Sequence, residues 1–156
     1  MYIYFSYGIE MISHFMRSIC PSAIFNGVGV CHHYRFQINE KGLADMQPSN
    51  YSSIYGFVWK LNQSDHNHLL KWADGYFPKL VKEPCFPEIL VSAQNENVSF
   101  SKNPQHTSCK AFFFRSLSTQ YGQASLQYIN TLINQLQNVG VSQDYISELR
   151  LWISIQ

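Results

Sequence analysis

A glycine turn with a carboxylate beside it is the first feature of this sequence that could serve chemistry. The stretch YIYFSYGIEM begins as a strand and ends at the pair Tyr7-Gly8, with Glu10 two residues later. Glycine lets the backbone turn sharply and come close to a ligand, so we expect this turn to line a pocket. A carboxylate at Glu10 would repel an anionic ligand group unless it points away or is protonated. The structural alternative is an exposed acid at a helix start, which the helix dipole favours.

Histidine pairs elsewhere in the chain invite a metal-site interpretation, but their spacing does not support one. His32 and His33 are adjacent, so in a strand they point to opposite faces. His66 and His68 are two residues apart on a predicted helix, which does not place them on one face. Since no cysteine or carboxylate completes a tetrahedral set at close spacing, we expect no metal site.

The composition predicts one globular domain without a nucleic-acid or membrane partner. The chain has 156 residues, of which 46% are hydrophobic and 13% charged, and its net charge is +1. Such a balance favours a packed core and gives no electrostatic attraction to nucleic acid or acidic lipid. No apolar run is long enough to cross a bilayer, and the first residues lack the pattern of a signal peptide. We expect a monomer or a loose dimer.

The cysteines point to a reducing compartment. The four cysteines lie far apart and form no C-x-x-C pair, so we expect neither a zinc site nor a redox motif. Free thiols are the ordinary state of cysteine in the cytoplasm, and we therefore expect a cytoplasmic protein.

The first half of the chain reads as strands with one short helix. Alternation predicts a buried strand over 2–7, and helical spacing of apolar residues predicts a helix over 11–19, which Pro21 ends. The stretch 22–36 predicts one or two strands. The stretch 38–53 contains Asn, Gly, Pro and Ser, which predicts a loop with one weak strand.

The strongest predicted strand, SIYGFVWKLN, precedes the longest helix of this half. It is rich in β-branched and aromatic residues and contains Gly56 in its middle. Ser64 is the predicted N-cap of the helix that follows. The helix is expected to run to about Ala73 and to end near Asp74-Gly75, because glycine is typical of a helix C-terminus.

The second half alternates turns and strands before it changes to helices. Strands are predicted at 80–82, 88–93 and 108–117, with a turn-rich stretch at 95–104. Apolar spacing predicts an amphipathic helix from Ser125, which Gly140 ends, and Ser142 caps a last helix through Trp152. No repeat or linker divides the chain, so residues 1–156 are predicted to form a single domain of mixed α and β structure.

Four segments together resemble the γ-glutamylcyclotransferase family, and they occur in its order over nearly the whole chain. They are YFSYGIEM, PSAIFNGVGVCHHYRFQI, GLADMQPSNYSSIYGFVWKLNQSDHNHLL with the DGY that follows, and SLQYINTLINQLQNVGVSQDYISELRLW. The resemblance implies an α+β fold, a small mixed β-barrel with surrounding helices and a pocket at one end. It also implies a reaction in which the α-amine of a γ-glutamyl group attacks its own γ-carbonyl. The products are 5-oxoproline and a free amino acid or amine, as in glutathione metabolism, without any metal or organic cofactor.

The resemblance also assigns a substrate site, with departures from the family pattern. Backbone N–H groups of the turn are expected to hold the substrate α-carboxylate, and a tyrosine of the closing helices to border the substrate. The substrate-binding residues so implied are Tyr4, Phe5, Ser6, Tyr7, Gly8, Ile9 and Tyr128. Ile9 stands where the family has Ser, Glu10 where it has Asn, and Phe112 where it has Tyr.

The acid/base of the reaction has two candidates. In the family a glutamate before a glycine takes the ammonium proton and returns it to the leaving amine. Asp74 matches it if one residue is inserted upstream, whereas an ungapped alignment places Ala73 there. Glu10 is the alternative acid/base. The hypotheses are therefore a cyclotransferase acting on a γ-glutamyl-type amide, a catalytically silent relative that binds a small ligand or a partner, and a related enzyme acting on another acyl amide.

Overall fold

Seven strands form one mixed sheet in the computed structural model, which describes residues 1–91 and 107–153. The strands are β1 Tyr2–Ser6, β2 Ile24–Ile38, β3 Ala44–Leu61, β4 Leu80–Cys85, β5 Glu88–Val91, β6 Thr107–Ser108 and β7 Ala111–Ser116. Their order across the sheet is β4-β7-β1-β3-β2-β5-β6. The β1–β7 pair is parallel, and the other strand pairs are antiparallel. The predicted turn-rich stretch 95–104 lies outside the described residues.

The sheet is open, so the predicted α+β class is confirmed but the predicted barrel is wrong. A barrel closes when its two edge strands hydrogen bond to each other. Here β4 and β6 are the edges, and within the described ranges no pairing joins them. The described part of the sheet therefore ends at two free edges.

Four helices accompany the sheet in the described ranges, and the last two begin where the sequence predicts. They are α1 Ser13–Ile19, α2 Gln63–Tyr76, α3 Leu126–Asn138 and α4 Gln143–Arg150. The hydroxyl of Ser125 accepts a hydrogen bond from the Tyr128 N–H at 3.1 Å, and that of Ser142 from the Asp144 N–H at 3.2 Å. Gly140 follows α3 with a φ of 76°, a conformation that ends helices. In the described part of the chain, no helix combines the length and apolarity that a membrane crossing needs.

The predicted loop at 38–53 is mostly wrong, because most of that stretch belongs to β3. The turn between β2 and β3 occupies only 39–43, where Gly42 adopts a φ of 80°. Pro48 then lies opposite Tyr34, directly after an irregularity of β2 at which His33 has a φ of 71°. A bulge is one of the few places where a strand tolerates proline, so the polar composition here belongs to a long irregular hairpin.

Helix α2 begins and ends at other residues than those predicted. Asn62, which directly follows β3, is the N-cap, and its side chain accepts a hydrogen bond from the Asp65 N–H at 2.8 Å. The predicted cap Ser64 therefore lies inside the first turn. The helix also continues past Gly75 to Tyr76, so Asp74 is a helical residue and no turn forms there.

Strand β1 lies in the interior of the sheet, between β3 and β7. Trp59 of β3 is fully buried and donates its indole N–H to the Ser6 hydroxyl at 2.9 Å, which in turn donates to the Phe57 carbonyl at 3.2 Å. At Gly56 the strands come so close that an added Cβ would lie 2.2 Å from the Ser6 carbonyl oxygen and 2.8 Å from the Phe5 ring. This contact fixes the end of β1 and hence the place of the turn after it.

We predict that Gly56→Ala lowers the free energy of unfolding by about 3 kcal/mol or more, at the upper end of overpacking effects. A methyl group at this position meets backbone, which cannot rotate away. The matched control is Gly75→Ala in α2, where an added Cβ has no neighbour within 4 Å. Urea unfolding of both variants measures the difference, and equal stability of the two would contradict the close approach of β1 to β3.

Candidate functional site

The turn after β1 folds a carboxylate back toward its own backbone. A short 3₁₀ turn spans Ile9–Met11, and the Met11 N–H donates to the Gly8 carbonyl at 3.0 Å. A Cβ added at Gly8 would lie 3.0 Å from the Ala44 Cβ and 3.1 Å from Oε1 of Glu10. Glycine at this position therefore leaves the space in which the Glu10 side chain lies.

Glu10 is buried, which decides against the alternative of an exposed acid at a helix start. The residue is only 4% exposed, and its Oε2 accepts a hydrogen bond from the Tyr4 hydroxyl at 2.9 Å. Burial raises the pKa of the Glu10 carboxyl from 4.5 to about 7, although its own backbone N–H and the Tyr4 hydroxyl favour the charged form. Burial and the neighbouring Glu10 hold the pKa of Tyr4 well above its usual range, so Tyr4 remains a donor.

A small cavity adjoins this carboxyl. Its lining combines the turn, the start of β3 and the helices α2 and α3, and consists of Ile9, Glu10, Leu43, Ala44, Trp72, Tyr76, Phe77 and Tyr128. The free volume is about 10 Å³, which is the space of roughly one water molecule. Four of these residues are aromatic, so the carboxyl faces a largely apolar space in which a charge interacts strongly with whatever enters.

Tyr128 brings α3 to the cavity. Its hydroxyl oxygen accepts a hydrogen bond from the Ala44 N–H at 3.0 Å and lies 3.7 Å from the position of a Cβ added at Gly8. Burial, with a smaller effect from Glu10, raises the pKa of Tyr128 above its usual range, so the phenol keeps its proton at neutral pH. The oxygen is occupied as an acceptor, and its O–H can donate to a ligand.

Trp72 brings a second donor to the cavity lining. Its indole N–H is buried and has no hydrogen-bond acceptor in the part of the chain that the structure describes. Its ring stacks on Tyr76 with centroids 4.8 Å apart and meets Phe15 edge-on at 6.0 Å. A buried donor without a partner is uncommon in folded proteins and is usually satisfied by a water or a ligand.

The structure does not bring Asp74 to this cavity. Asp74 is exposed and is not among the lining residues. Trp72 and Tyr76 are four residues apart and share one face of α2, whereas Asp74, midway between them, points to another face. Ala73, which the ungapped alignment places at the family acid, is fully buried and carries no carboxyl.

Most of the other predicted binding residues support the turn from the core. Tyr4, Phe5, Ser6 and Tyr7 are buried, and the Tyr7 hydroxyl donates to the Phe114 carbonyl. They do not line the small cavity, whereas Ile9, Glu10 and Tyr128 do. Phe112, where the family has tyrosine, packs its ring on Tyr4 with centroids 5.2 Å apart.

Sequence reasoning missed the wall that α2 contributes. The signal was present, because Trp72 and Tyr76 are aromatic residues at the i, i+4 spacing of one helix face. The predicted helix end near Asp74-Gly75 left Tyr76 outside the helix, so the pair was not interpreted as one helix face. A weak strand is predicted near Leu43 and Ala44, and β3 does begin at Ala44, but neither residue is predicted to line the site.

Larger cavities also lie elsewhere among the described residues and offer less suitable chemistry. A groove of about 530 Å³ crosses β1, β4 and β7, and its carboxylate, Glu83, is held by Arg115 at 2.7 Å. A second cavity of about 460 Å³ lies beside His32 and Cys85. We regard the smaller cavity as the candidate site, because it contains a buried carboxyl with a raised pKa and a donor without an acceptor.

No protein-family model and no curated protein sequence matches this chain. Solved structures do match. A gamma-glutamyl cyclotransferase is 18% identical, with a TM-score of 0.77 over 99% of this chain and 89% of the other. A glutathione-specific gamma-glutamyl cyclotransferase from yeast is 8% identical, with a TM-score of 0.62 over 97% and 95%. An AIG2-like protein from Mus musculus is 14% identical, with a TM-score of 0.56 over 83% and 82%.

These structural similarities extend over nearly the whole chain. The sequence identities are low, so the similarities show the fold alone. The resemblance predicted from four sequence segments is thereby confirmed at that level. The chain has the fold of the gamma-glutamyl cyclotransferases and AIG2-like proteins.

Proposed function

We propose that this protein is an acyl-cyclising enzyme that cleaves a γ-glutamyl-type amide, with Glu10 as its acid and base. The observation that carries the proposal is the buried Glu10 carboxyl in the turn after β1, whose pKa of about 7 suits proton transfer at neutral pH. The fold supports the reaction class, because gamma-glutamyl cyclotransferases are among the similar structures. Asp74, the other candidate, is exposed and outside the cavity lining.

The reaction needs positioning and proton transfer. The ionised Glu10 carboxyl takes a proton from the substrate ammonium, and the freed amine attacks the amide carbonyl carbon within the same molecule. A C–N bond forms in the ring, the amide C–N bond breaks, and the protonated Glu10 returns the proton to the leaving amine. The second proton, which the ring nitrogen loses after attack, passes to the Glu10 carboxylate and from there to the released amine or to water. The products are a lactam, such as 5-oxoproline, and a free amine or amino acid. Tyr4 holds the Glu10 carboxyl in place through its hydroxyl.

A second candidate function is a silent relative that binds a small ligand or a protein partner at the same place. The observation that favours it is the free volume of about 10 Å³, which admits no substrate unless the lining moves. The part of the cavity lining that α2 contributes can move toward solvent, because Tyr76 is 38% exposed. Turnover decides between the two candidates.

The remaining expectations belong to the same proposal. We place the enzyme in the cytoplasm, because its four cysteines are unpaired and Cys20, Cys31 and Cys85 are buried. The proposed partner is a small-molecule amide, and the proposed assembly is a monomer or a weak dimer.

We predict that Glu10→Gln lowers kcat/KM by at least about 100-fold, the lower range for losing a general acid and base. Asp74→Asn should change it by less than about 3-fold, because Asp74 points away from the cavity. The assay is release of free amine from a panel of γ-glutamyl and related acyl amides. Glu40→Gln, the same chemical change at an exposed residue, is the control.

Two results would contradict this assignment. Loss of activity in Asp74→Asn with activity retained in Glu10→Gln would make Asp74 the acid and base. No turnover of any amide by the folded wild-type protein would favour the silent relative.

The pH dependence of turnover gives a second prediction. Because the carboxylate form of Glu10 accepts the first proton, kcat/KM should rise with pH through an inflection near 7, the pKa of Glu10 in the free protein. Initial rates between pH 5 and 8, in buffers of constant ionic strength, measure the profile. A profile that is already level at pH 5.5 would mean that the essential acid has an ordinary pKa and is not Glu10.

The same group should make stability depend on pH, whether or not the protein is an enzyme. The native state holds the Glu10 proton more tightly than the unfolded chain does, so wild-type stability is full below pH 4.5 and falls as pH rises through about 7. Glu10→Gln has no titrating group at this position, so it does not lose stability in this way. Its free energy of unfolding should exceed that of the wild type by about 2–3 kcal/mol at pH 8 and differ little from it at pH 4.5. Urea unfolding at the two pH values, with Glu40→Gln as control, is the measurement. An advantage independent of pH would contradict the buried, titrating carboxyl.

A further inference from the structure

The family resemblance assigns the turn after β1 to binding of the substrate α-carboxylate. In this protein the side-chain carboxylate of Glu10 fills that turn. Oε1 of Glu10 lies 3.1 Å from the position of a Cβ added at Gly8, and the backbone N–H of Glu10 favours the charged form of its own carboxyl. The inner side of the turn is therefore already occupied. A ligand carboxylate directed to the same place would have to displace the Glu10 side chain or share its space.

A second carboxylate in this cavity would also lack a countercharge. Two like charges a few ångströms apart in a buried site repel strongly. Among the described residues that line the cavity, none is a Lys or an Arg. The Lys41 amine is held at the exposed end of α2, where it donates to the Gly75 carbonyl at 3.3 Å. The lining thus disfavours an anionic group and favours a cation.

An ammonium group suits the same surroundings. The Glu10 carboxylate supplies an opposite charge, and the aromatic rings of Trp72, Tyr76, Phe77 and Tyr128 supply faces that attract a cation. The amine of an acyl amide substrate is such a group at neutral pH. It is also the group that must give up a proton to Glu10 under the proposed function.

The two donors in the lining suit a carbonyl oxygen. The Trp72 indole N–H is buried without an acceptor, and the Tyr128 hydroxyl has its oxygen occupied by the Ala44 N–H while its own proton is available to a ligand. An amide carbonyl that accepts from these donors becomes more electrophilic, and the negative charge that develops on its oxygen during attack is stabilised. The lining therefore offers partners for an amine and for a carbonyl.

From this arrangement, and resting on the proposed function, we infer that the substrates are 4-aminobutanoyl amides. These have an amine and an amide carbonyl at the same spacing as a γ-glutamyl group but hydrogen in place of its α-carboxylate. The amine nitrogen bonds to the carbonyl carbon, the amide C–N bond breaks, and Glu10 passes the ammonium proton to the leaving amine. The second proton that the ring nitrogen loses goes through Glu10 to the released amine or to water. The products are pyrrolidin-2-one and a free amine, and no other reactant is required.

The test compares 4-aminobutanoyl 4-nitroanilide with γ-glutamyl 4-nitroanilide on the full-length wild-type protein, after subtraction of the uncatalysed rates. We expect kcat/KM to be at least about 10-fold higher for the 4-aminobutanoyl compound, a difference of about 1.4 kcal/mol. Glu10→Asn, which removes the charge and introduces the residue type of the family, should reduce this ratio by about 10-fold or more. Glu40→Gln should leave the ratio unchanged.

Trp72→Phe keeps an aromatic ring and removes only the indole N–H. It should lower kcat for the 4-aminobutanoyl compound by about 10-fold or more, because the lost donor acts on charge that develops in the transition state. An unchanged kcat would overturn the role of Trp72. The thermal midpoint of the variant, measured in parallel, separates this effect from unfolding.

The outcomes separate the ligand class from the proposed chemistry. Faster turnover of the γ-glutamyl compound would overturn the ligand class and leave the proposed function standing. If neither compound is turned over, the proposed function fails, and calorimetry with 4-aminobutanamide and glutamine then tests the ligand class alone. Binding of 4-aminobutanamide in preference to glutamine would support it, whereas equal or weaker binding, or no binding of either compound, would overturn it.

Discussion

The close contact between β1 and β3 is the constraint on which the rest of the site depends. At Gly56 the backbone of β3 approaches the Ser6 carbonyl so nearly that no side chain fits between them, and Trp59 closes the same contact with a hydrogen bond to the Ser6 hydroxyl. β1 is thereby held against β3, and its pairing with β7 on the other side places it in the interior of the sheet. The turn that follows it starts from a fixed point, which is what a site on a loop requires if its groups are to keep their geometry.

Two further residues, Gly8 and Glu10, form the candidate site in the turn after β1. Gly8 leaves room inside the turn, and Glu10 uses the room for a carboxyl that water does not reach. Desolvation makes the charged form of such a group unfavourable, and a hydrogen bond from Tyr4 offsets only part of that effect. The carboxyl is consequently balanced between its two protonation states near neutral pH, which a solvated glutamate is not.

Local sequence signals predicted those parts of the fold that local interactions determine. The start of α3 after Ser125, the cap at Ser142 and the break at Gly140 are of this kind, since each depends on residues two to four positions away. The buried strand before Tyr7 and the mid-strand glycine were also recognised, because alternation and composition reflect burial directly. The family resemblance added the mixed sheet and its helices, although it predicted a closed barrel where the described strands form an open sheet.

The errors occurred where distant residues decide the structure. The composition of 38–53 indicates a loop, but the long partner strand β2 pairs with most of it. The choice of Asp74 as acid and base stays a prediction that rests on its place before a glycine, whereas the phase of α2 directs Trp72 and Tyr76 to the cavity. The burial of Glu10 depends on Ala44 and Tyr128, which contact the turn from β3 and α3. No pattern within ten residues of Glu10 contains that information.

The parallel pairing of β1 with β7 also has a consequence for the order in which the chain folds. The Tyr7 hydroxyl reaches the Phe114 carbonyl across 107 residues, and Tyr4 pairs with Phe112. During synthesis, β1 can form its hairpin-like pairing with β3 early, but one of its sides stays open until most of the domain has left the ribosome. Contacts over such separations slow folding, because a long loop must close before they form. Tyr128 of α3, which contacts the turn, lies still later in the chain, so the Glu10 carboxyl reaches its buried surroundings only after these late elements dock.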